Sequence, residues 1–332
     1  MDLNHELITT IHDQLEKARK ILVVSHLRPD GDAIGSLLGI GLALLEVGKD
    51  VQMVLSDGVP ENFEFLSGSE LVKTESIGPV DYIIVVDSSD VERIGQVLNG
   101  YGNADLNIDH HKTNSRFAKI NLVESDAVAT AEILFKYVPD FGLNISKPVA
   151  NALLAGIVTD TIGFRTTNMD PQALRITADL MELGGDLADI YYRTIIEQSY
   201  SGAQYWGAGL SKLHMEDGLV WTTLSLKDRH AAGYQYRDDA DLVKVLSAIE
   251  GAKIAIILTE QTEGYVKISW RLCGSLSTVL DVSEIAQKFG GGGHKAAAGA
   301  DVKGELEEVL VDVLANTRIS MNQIEKPIEE IG

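Results

Sequence analysis

The chain has 332 residues, which at about 100–200 residues per domain implies two domains. Hydrophobic residues make up 45% and charged residues 23%, so disordered, collagen-like and low-complexity classes are excluded. The net charge of −21 argues against coating of long nucleic acid, because such binding rests on Lys and Arg neutralising many phosphates. The charge is uneven: residues 1–190 carry −15 and residues 191–332 carry −6. Within 251–300, Lys253, Lys267, Arg271, Lys288 and Lys295 oppose Glu260, Glu263, Asp281 and Glu284, which leaves that segment at +1. The single cysteine, Cys273, allows no intrachain disulfide and no thiolate cluster, and reads as a small apolar filler. No apolar run reaches the roughly 18 residues needed to cross a membrane. The polar start Met1-Asp2-Leu3-Asn4-His5-Glu6 lacks a signal-peptide pattern. The expectation is a soluble, cytoplasmic protein.

In chain order, Ile21–Ser25 is a β-branched apolar run that suits a strand buried on both faces. From Asp32 to Val47, Ile34, Leu37, Leu38, Gly41, Leu44 and Leu45 fall at helical spacing, and Gly48 can cap the end. Strands follow at Val51–Leu55, Tyr82–Val86 and Leu106–Ile108. Helices fit 127–138, 148–158 and 171–183, the last with Pro171 just after Asp170. Strands alternating with helices predict an α/β fold, a mostly parallel sheet with helices on both faces. After Gly184-Gly185, a helix-like run from Leu187 to Glu197 reads as a connector. Beyond it the pattern gives strands at Leu219–Ser225, Ile254–Leu258 and Tyr265–Trp270. Helices fall near 240–249 and 281–288, and Phe289 leads into the loop Gly290–His294. The tail from Met321 is polar and expected to fray. The division is therefore a first domain at 1–186, a helical connector at 187–205, a smaller α/β domain at 206–320 and a tail at 321–332.

In an open α/β sheet, ligands bind outside the carboxyl ends of the strands. The first strand runs into His26-Leu27-Arg28-Pro29-Asp30-Gly31-Asp32, the third ends at Asp87, and the fourth at Asp109-His110-His111. Asp160 follows an apolar helix. Asp30 and Asp32, two apart in an extended turn, point away from each other and can serve two different ions. Asp87 on a neighbouring strand can bridge them. Imidazole and carboxylate form the ligand set of Mn²⁺ and similar divalent ions. Two such ions clamp a phosphoryl group and acidify a water between them. Each feature also has a plain reading: Asp32 can cap the helix that follows it, a His-His pair can lie on the surface, and a glycine run can be a turn. Four acidic and histidine clusters in one −15 segment exceed what capping requires.

At these residues the sequence resembles the DHH phosphoesterase superfamily, named for Asp109-His110-His111. His26–Ala33 resembles its first motif, Asp87 after Ile83–Val86 its second, Asp109–Asn114 its third and Gly156–Thr161 its fourth. Gly291-Gly292-Gly293-His294, with Ala297-Ala298-Gly299, is similar to the hallmark of the DHH-associated C-terminal domain. The resemblance covers about residues 20–300. It implies one ion on His26, Asp30 and Asp87, and a second on Asp32, Asp87, His110 and Asp160. Asp109 would orient a ligand histidine, and His111 would contact the scissile phosphate and protonate the leaving oxygen. Asn114 would touch phosphate or support the ligands. In the second domain Arg271, the backbone of Gly291, Gly292 and Gly293, and His294 would hold a neighbouring phosphate. Where the family often has Ser after this Arg, Leu272 stands here.

Family II pyrophosphatases lack the Gly-Gly-Gly-His segment, RecJ exonucleases are longer, and membrane-bound cyclic-dinucleotide phosphodiesterases add transmembrane segments. The chain resembles the stand-alone oligoribonuclease and 3′-phosphoadenosine 5′-phosphate (pAp) phosphatase group. That implies two divalent ions, Mn²⁺ by ligand type, and an active site in the cleft between domains. The implied substrates are oligonucleotides of about 2–5 nucleotides and pAp, or linear dinucleotides. Neither long nucleic acid nor a membrane is expected as a partner, and a homodimer follows only by family analogy. Three other readings compete: a cyclic-dinucleotide or pApA phosphodiesterase in signalling, a non-catalytic metal-dependent nucleotide sensor, and a dinucleotide-cofactor enzyme. The last lacks G-x-G-x-x-G after the first strand.

Overall fold

A computed structural model describes residues 3–274 and 280–325. The chain divides into two compact units, Met1–Glu197 and Gln198–Gly332. The first unit begins with α1 (Leu3–Lys17), β1 (Lys20–Val24), α2 (Gly31–Glu46), β2 (Asp50–Val54), β3 (Tyr82–Val86), β4 (Leu106–Asp109) and β5 (Ile120–Val123). It continues with α3 (Thr130–Tyr137), α4 (Lys147–Asp160), α5 (Pro171–Glu182) and α6 (Leu187–Tyr191), followed by a π-helical turn at Tyr192–Ile196. The expected connector is thus split. Its first half completes the first unit, and its second half opens the next.

The five strands run parallel in the order β2-β1-β3-β4-β5. Chain direction across the sheet reverses between β1 and β3, so the segments leaving their carboxyl ends part from each other and leave a crevice. Helix cover of this sheet is one-sided, which departs from the expectation of helices on both faces. Ile21, Val23, Ile84, Val86, Leu106 and Ile108 point to the core built by α1–α5. Leu22, Val24, Ile83 and Val85 face the opposite way, onto Ile94, Val97 and Ala104 from an irregular segment with one short 3-10 turn at Glu92–Ile94. All these strand positions are buried, which is why the runs carry no polar alternation.

Helices α2 and α4 meet almost backbone to backbone. A Cβ added at Gly35 would lie 2.4 Å from the Ala152 carbonyl oxygen, and one at Gly156 would lie 2.7 Å from Asp32 Oδ1. Contacts this short leave no room for any residue but glycine. They bring the end of α4, which carries Asp160, beside the start of α2, which carries Asp32.

The second unit contains α7 (Tyr200–Leu210), β6 (His214–Glu216), β7 (Leu219–Leu224), α8 (Leu226–Ala232), α9 (Leu242–Leu246), β8 (Ile254–Thr262), β9 (Tyr265–Leu272), α10 (Val282–Gln287), β10 (Gly292–His294), β11 (Ala297–Lys303) and α11 (Leu306–Glu325). Its sheet has the order β10-β11-β9-β8-β7-β6 and is antiparallel except for β7 with β8. Here helices do cover both faces. One core joins Ile256, Ile268 and Trp270 to α10 and α11; the other joins Val220, Ala255 and Ile257 to α7 and α9. Cys273 packs in the second core, where burial pushes its thiol up to about 11, as suits a filler. Two expectations are corrected. Residues 321–325 continue α11, with Met321 buried against the core. Part of the glycine loop is a strand, Gly292–His294, paired with Ala297–Gly299.

Candidate metal centre

The acidic and histidine side chains predicted from the strand ends converge at the carboxyl ends of β1, β3 and β4. His26 follows β1 and is buried; its Nδ1–H donates to the Leu27 carbonyl at 2.8 Å, which aims Nε2 at the carboxylates. That Nε2 lies 3.8 Å from Asp30 Oδ1 and 3.5 Å from Asp87 Oδ2. His110, just after β4, is turned the same way by its Nδ1 contact to Ala127 O at 3.3 Å. Its Nε2 lies 3.9 Å from Asp32 Oδ2, 3.7 Å from Asp87 Oδ1 and 3.6 Å from Asp160 Oδ2. Asp87 therefore offers one oxygen to each group.

These separations exceed a hydrogen bond of about 2.7–3.2 Å. They match donors that share a divalent ion, each about 2.0–2.2 Å from it and hence about 3–4 Å apart. Two histidines anchored through Nδ1 on carbonyls, with Nε2 facing carboxylates, form a ligand set for a hard or borderline divalent ion. The residues fit such ions at both groups, His26-Asp30-Asp87 and Asp32-His110-Asp160.

Local chemistry fixes each donor. Asp30 is the N-cap of α2 and accepts from the N–H groups of Asp32 at 3.2 Å and Ala33 at 3.1 Å. Asp32 caps a different helix from the one expected. Its oxygens accept from the N–H groups of Thr130 at 2.6 Å and Ala131 at 3.0 Å, at the start of α3, and from Ser36 Oγ at 3.1 Å. Asp87 sits in the left-handed region at φ 54°, one of few non-glycine residues there, and accepts from Thr130 Oγ1 at 2.9 Å. Thr130, which bonds both Asp32 and Asp87, was not singled out from the sequence; its only signal is a hydroxyl at the start of a predicted helix. The other missed residues are Gly31, Gly35 and Gly39, whose four-residue spacing on α2 signals close helix approach.

Packing so many acids together has electrostatic consequences. Burial, with Asp87, Asp160 and Asp30 nearby, raises the Asp32 carboxyl well above the usual range. Burial and the charges of Asp87 and Asp30 push Asp160 to about 6, against the pull of His110. Burial opposes the charged form of His26, yet its bonds to Asp30 and Asp87 win and raise it to about 10. The metal-free centre thus holds protons that a cation would displace.

The DHH triplet divides its labour. Asp109 Oδ1 accepts from His111 Nδ1 at 2.7 Å, while Asn114 Nδ2 donates to Asp109 Oδ2 at 2.5 Å. The histidine that Asp109 orients is His111, not the ligand candidate His110. Burial lowers the His111 pKa, but Asp109 and Asp87 outweigh it and raise it overall. Of the two roles expected for Asn114, contact with phosphate or support of the ligands, its hydrogen bonds fit the second, because its amide is engaged by protein. Nδ2 also reaches Asn107 Oδ1 at 2.8 Å and Ser88 O at 3.2 Å, and Oδ1 accepts from Arg116 N–H at 2.7 Å. Its place is behind Asp109. The floor of the site is closed and its rim open: Asp109 and Asp32 are at most 1% exposed, whereas Asp160 is 30% and Asp30 is 61% exposed.

The second unit contains a cavity of about 300 Å³. Lys267, Ser269 and Arg271 line it from one face of β9, as alternate residues of a strand must. Gly292, Gly293 and Gly299 supply backbone opposite. A Cβ at Gly291 would lie 2.1 Å from Gly299 O, and one at Gly293, where φ is +143°, would lie 2.6 Å from Ala297 O. At Gly292 a Cβ would meet nothing within 4 Å and would point into open space. The side chain of His294 lies outside the described residues.

The DHH family N-terminal domain model matches residues 20–157, and the DHHA1 domain model matches residues 232–317. The chain is 33% identical over 302 residues to the bifunctional oligoribonuclease and PAP phosphatase NrnA of Thermus thermophilus, spanning 90% of this chain and 89% of that protein. It is 25% identical over 338 residues to the cyclic-di-AMP phosphodiesterase PdeA of Listeria monocytogenes, spanning 92% of this chain and 48% of that protein. An exopolyphosphatase-related protein from Bacteroides fragilis has the same fold, with a TM-score of 0.88, 26% identity, and coverage of 97% of this chain and 98% of that one. No helix among the described residues is long and apolar enough to cross a membrane.

Proposed function

We propose that this chain, which belongs to the DHH family of phosphoesterases, hydrolyses short oligoribonucleotides to mononucleotides and removes the 3′-phosphate of pAp, using two Mn²⁺ ions. The observation that carries the reading is Asp87, whose two oxygens face two separate donor groups. The 33% identity to an oligoribonuclease and PAP phosphatase over nearly the full length supports the substrate class. Asp32, Asp87, His110 and Asp160 would hold one ion, and His26, Asp30 and Asp87 the other. Bound there, the two ions supply Lewis-acid stabilisation of a phosphoryl group and a water acidified to near neutrality.

The remaining steps belong to the protein. Asp109 accepts a hydrogen bond from His111 Nδ1 and favours the charged form of the ring, whose Nε2 can then donate a proton. His111 is the general acid for the leaving oxygen. Asn114 fixes Asp109 and through it the His111 ring. In the second unit, Arg271 and the Gly292 backbone would bind a phosphate.

The test is Asp87→Ala, assayed for Mn²⁺-dependent release of mononucleotide from a dinucleotide. Release at the wild-type rate refutes the assignment. A second reading, a linear or cyclic dinucleotide phosphodiesterase, is favoured by the PdeA match across 92% of this chain. Parallel assays on pApA, cyclic di-AMP, pAp and trinucleotides separate the two, and turnover of any of them excludes a mere sensor.

A further inference from the structure

The cavity of the second unit is lined by two carboxylates, Asp239 and Asp241, as well as by Lys267 and Arg271, and phosphate binding does not explain the carboxylates. Asp239 lines it together with Lys267 and Arg271. Asp239 Oδ1 accepts from the Asp241 N–H at 3.2 Å, but its buried Oδ2 has no hydrogen-bond partner among the described residues. The neighbouring carboxylate is already engaged, since Asp241 Oδ2 accepts from Lys244 Nζ at 2.9 Å. A buried acceptor left without a donor is costly, and such groups are few in a folded protein.

The segment bearing Asp239 is held in place. Ala240 and Asp241 both adopt left-handed backbone, at φ 51° and 63°, unusual for two successive residues with side chains. The Ala240 carbonyl is fixed by Gln198 Nε2 at 2.8 Å and by Trp206 Nε1 at 2.7 Å. Tyr234 OH donates to Asp238 Oδ1, which also accepts from Ala240 N–H at 2.9 Å. The carboxylate is therefore preorganised at the cavity wall. Burial, with Asp241 and Asp238 nearby, raises its pKa against the pull of Lys267.

A cavity that sets an unpartnered carboxylate oxygen beside Lys267 and Arg271 suits a ligand that presents a hydroxyl next to a phosphate. A ribonucleotide does so through its 2′-OH, and a deoxyribonucleotide does not. We propose that Asp239 is a specificity-determining residue that accepts a hydrogen bond from the ribose 2′-OH of a nucleotide whose phosphate lies on Lys267 and Arg271. This deepens the proposed function and rests on its assignment of the cavity to substrate.

The experiment is calorimetric binding of AMP and 2′-deoxy-AMP to the full chain with Mn²⁺, for wild type and for Asp239→Ala. The wild type should bind the ribonucleotide about tenfold more tightly, as one hydrogen bond to a charged acceptor provides. Asp239→Ala, which leaves no polar group to meet the 2′-OH, should bring the ratio close to one by weakening AMP alone. Equal wild-type affinities overturn the proposal and need no variant. A wild-type preference that survives in Asp239→Ala also overturns it. The readout does not depend on hydrolysis. A chain that discriminates between the two nucleotides but cleaves no dinucleotide therefore sinks the proposed activity and leaves Asp239 in its role.

Discussion

The two units treat charge in opposite ways. The first crowds Asp32, Asp87, Asp160 and Asp30 around His26 and His110, and in doing so raises Asp32 and Asp160 above their ordinary range. Those shifts are the electrostatic cost of crowding like charges in a buried place. The second unit places Lys267 and Arg271 against glycine backbone, in a cavity that Asp239 and Asp241 also line. Both features derive from strand ends or strand faces, yet one is built from buried side chains and the other from absent ones. A site for a hard cation must be assembled from donors on several elements. A phosphate cradle needs only room for backbone and a charged side chain at its edge.

Breaking the first unit should have the largest effect. Asp87→Ala removes an oxygen from both donor groups and should lower dinucleotide turnover by about 10³-fold or more, by steady-state assay. Arg271→Ala should act next. It should raise KM for dinucleotide and pAp by about 10–100-fold, as loss of a charge-assisted phosphate contact implies, and spare a generic monoester. Equal losses on all three substrates would erase the contrast between the units.

Stability should respond to metal in a pH-dependent way. Asp160, raised to about 6, contributes stability that is complete below about 4 and lost as pH rises through 6. His26, raised to about 10, contributes stability that is complete below about 6.5 and lost as pH rises through 10. Both make the metal-free protein weaker as pH rises, while bound metal requires the deprotonated donors. The Tm gained by adding Mn²⁺ over chelator should therefore grow between pH 5 and 8, by several degrees at 100-fold excess over Kd. A gain that shrinks with pH would oppose the assignment of these donors. The smallest effects are expected in the cradle. Gly291→Ala should lower Tm, because its Cβ meets backbone at 2.1 Å. Gly292→Ala should leave Tm within about a degree, since nothing lies within 4 Å, but weaken AMP binding.

Local pattern carried far. The apolar runs at Tyr82–Val86 and Leu106–Ile108, the Asp170-Pro171 helix start, and the donors at strand ends were all legible. The tail expected from Met321 differs over residues 321–325, which continue α11 because Met321 packs on a core that the helix alone does not reveal; 326–332 lie outside the described residues. Strand β11, Ala297–Lys303, begins Ala-Ala-Gly-Ala, a weak strand former; its pairing with β9 decides it. Helix cover on one face of the first sheet was also beyond pattern, because a strand buried on both faces looks the same whether helix or loop covers it.

The sequence by itself determined which chemical groups exist and that they cluster: carboxylates and imidazoles after β1, β3 and β4, and glycines before Ala297. Residue type is local, and so is its chemistry. Only the tertiary structure decided the partners. It gave Asp109 to His111 rather than to His110, turned Asn114 inward, and brought Asp160 to Asp32 through the glycine contact between α2 and α4. It also left Asp239 Oδ2 without a donor beside two cations. Orientation depends on hydrogen bonds and packing between residues far apart in the chain, such as Ala131 with Asp32, 99 positions away, and no local periodicity encodes these.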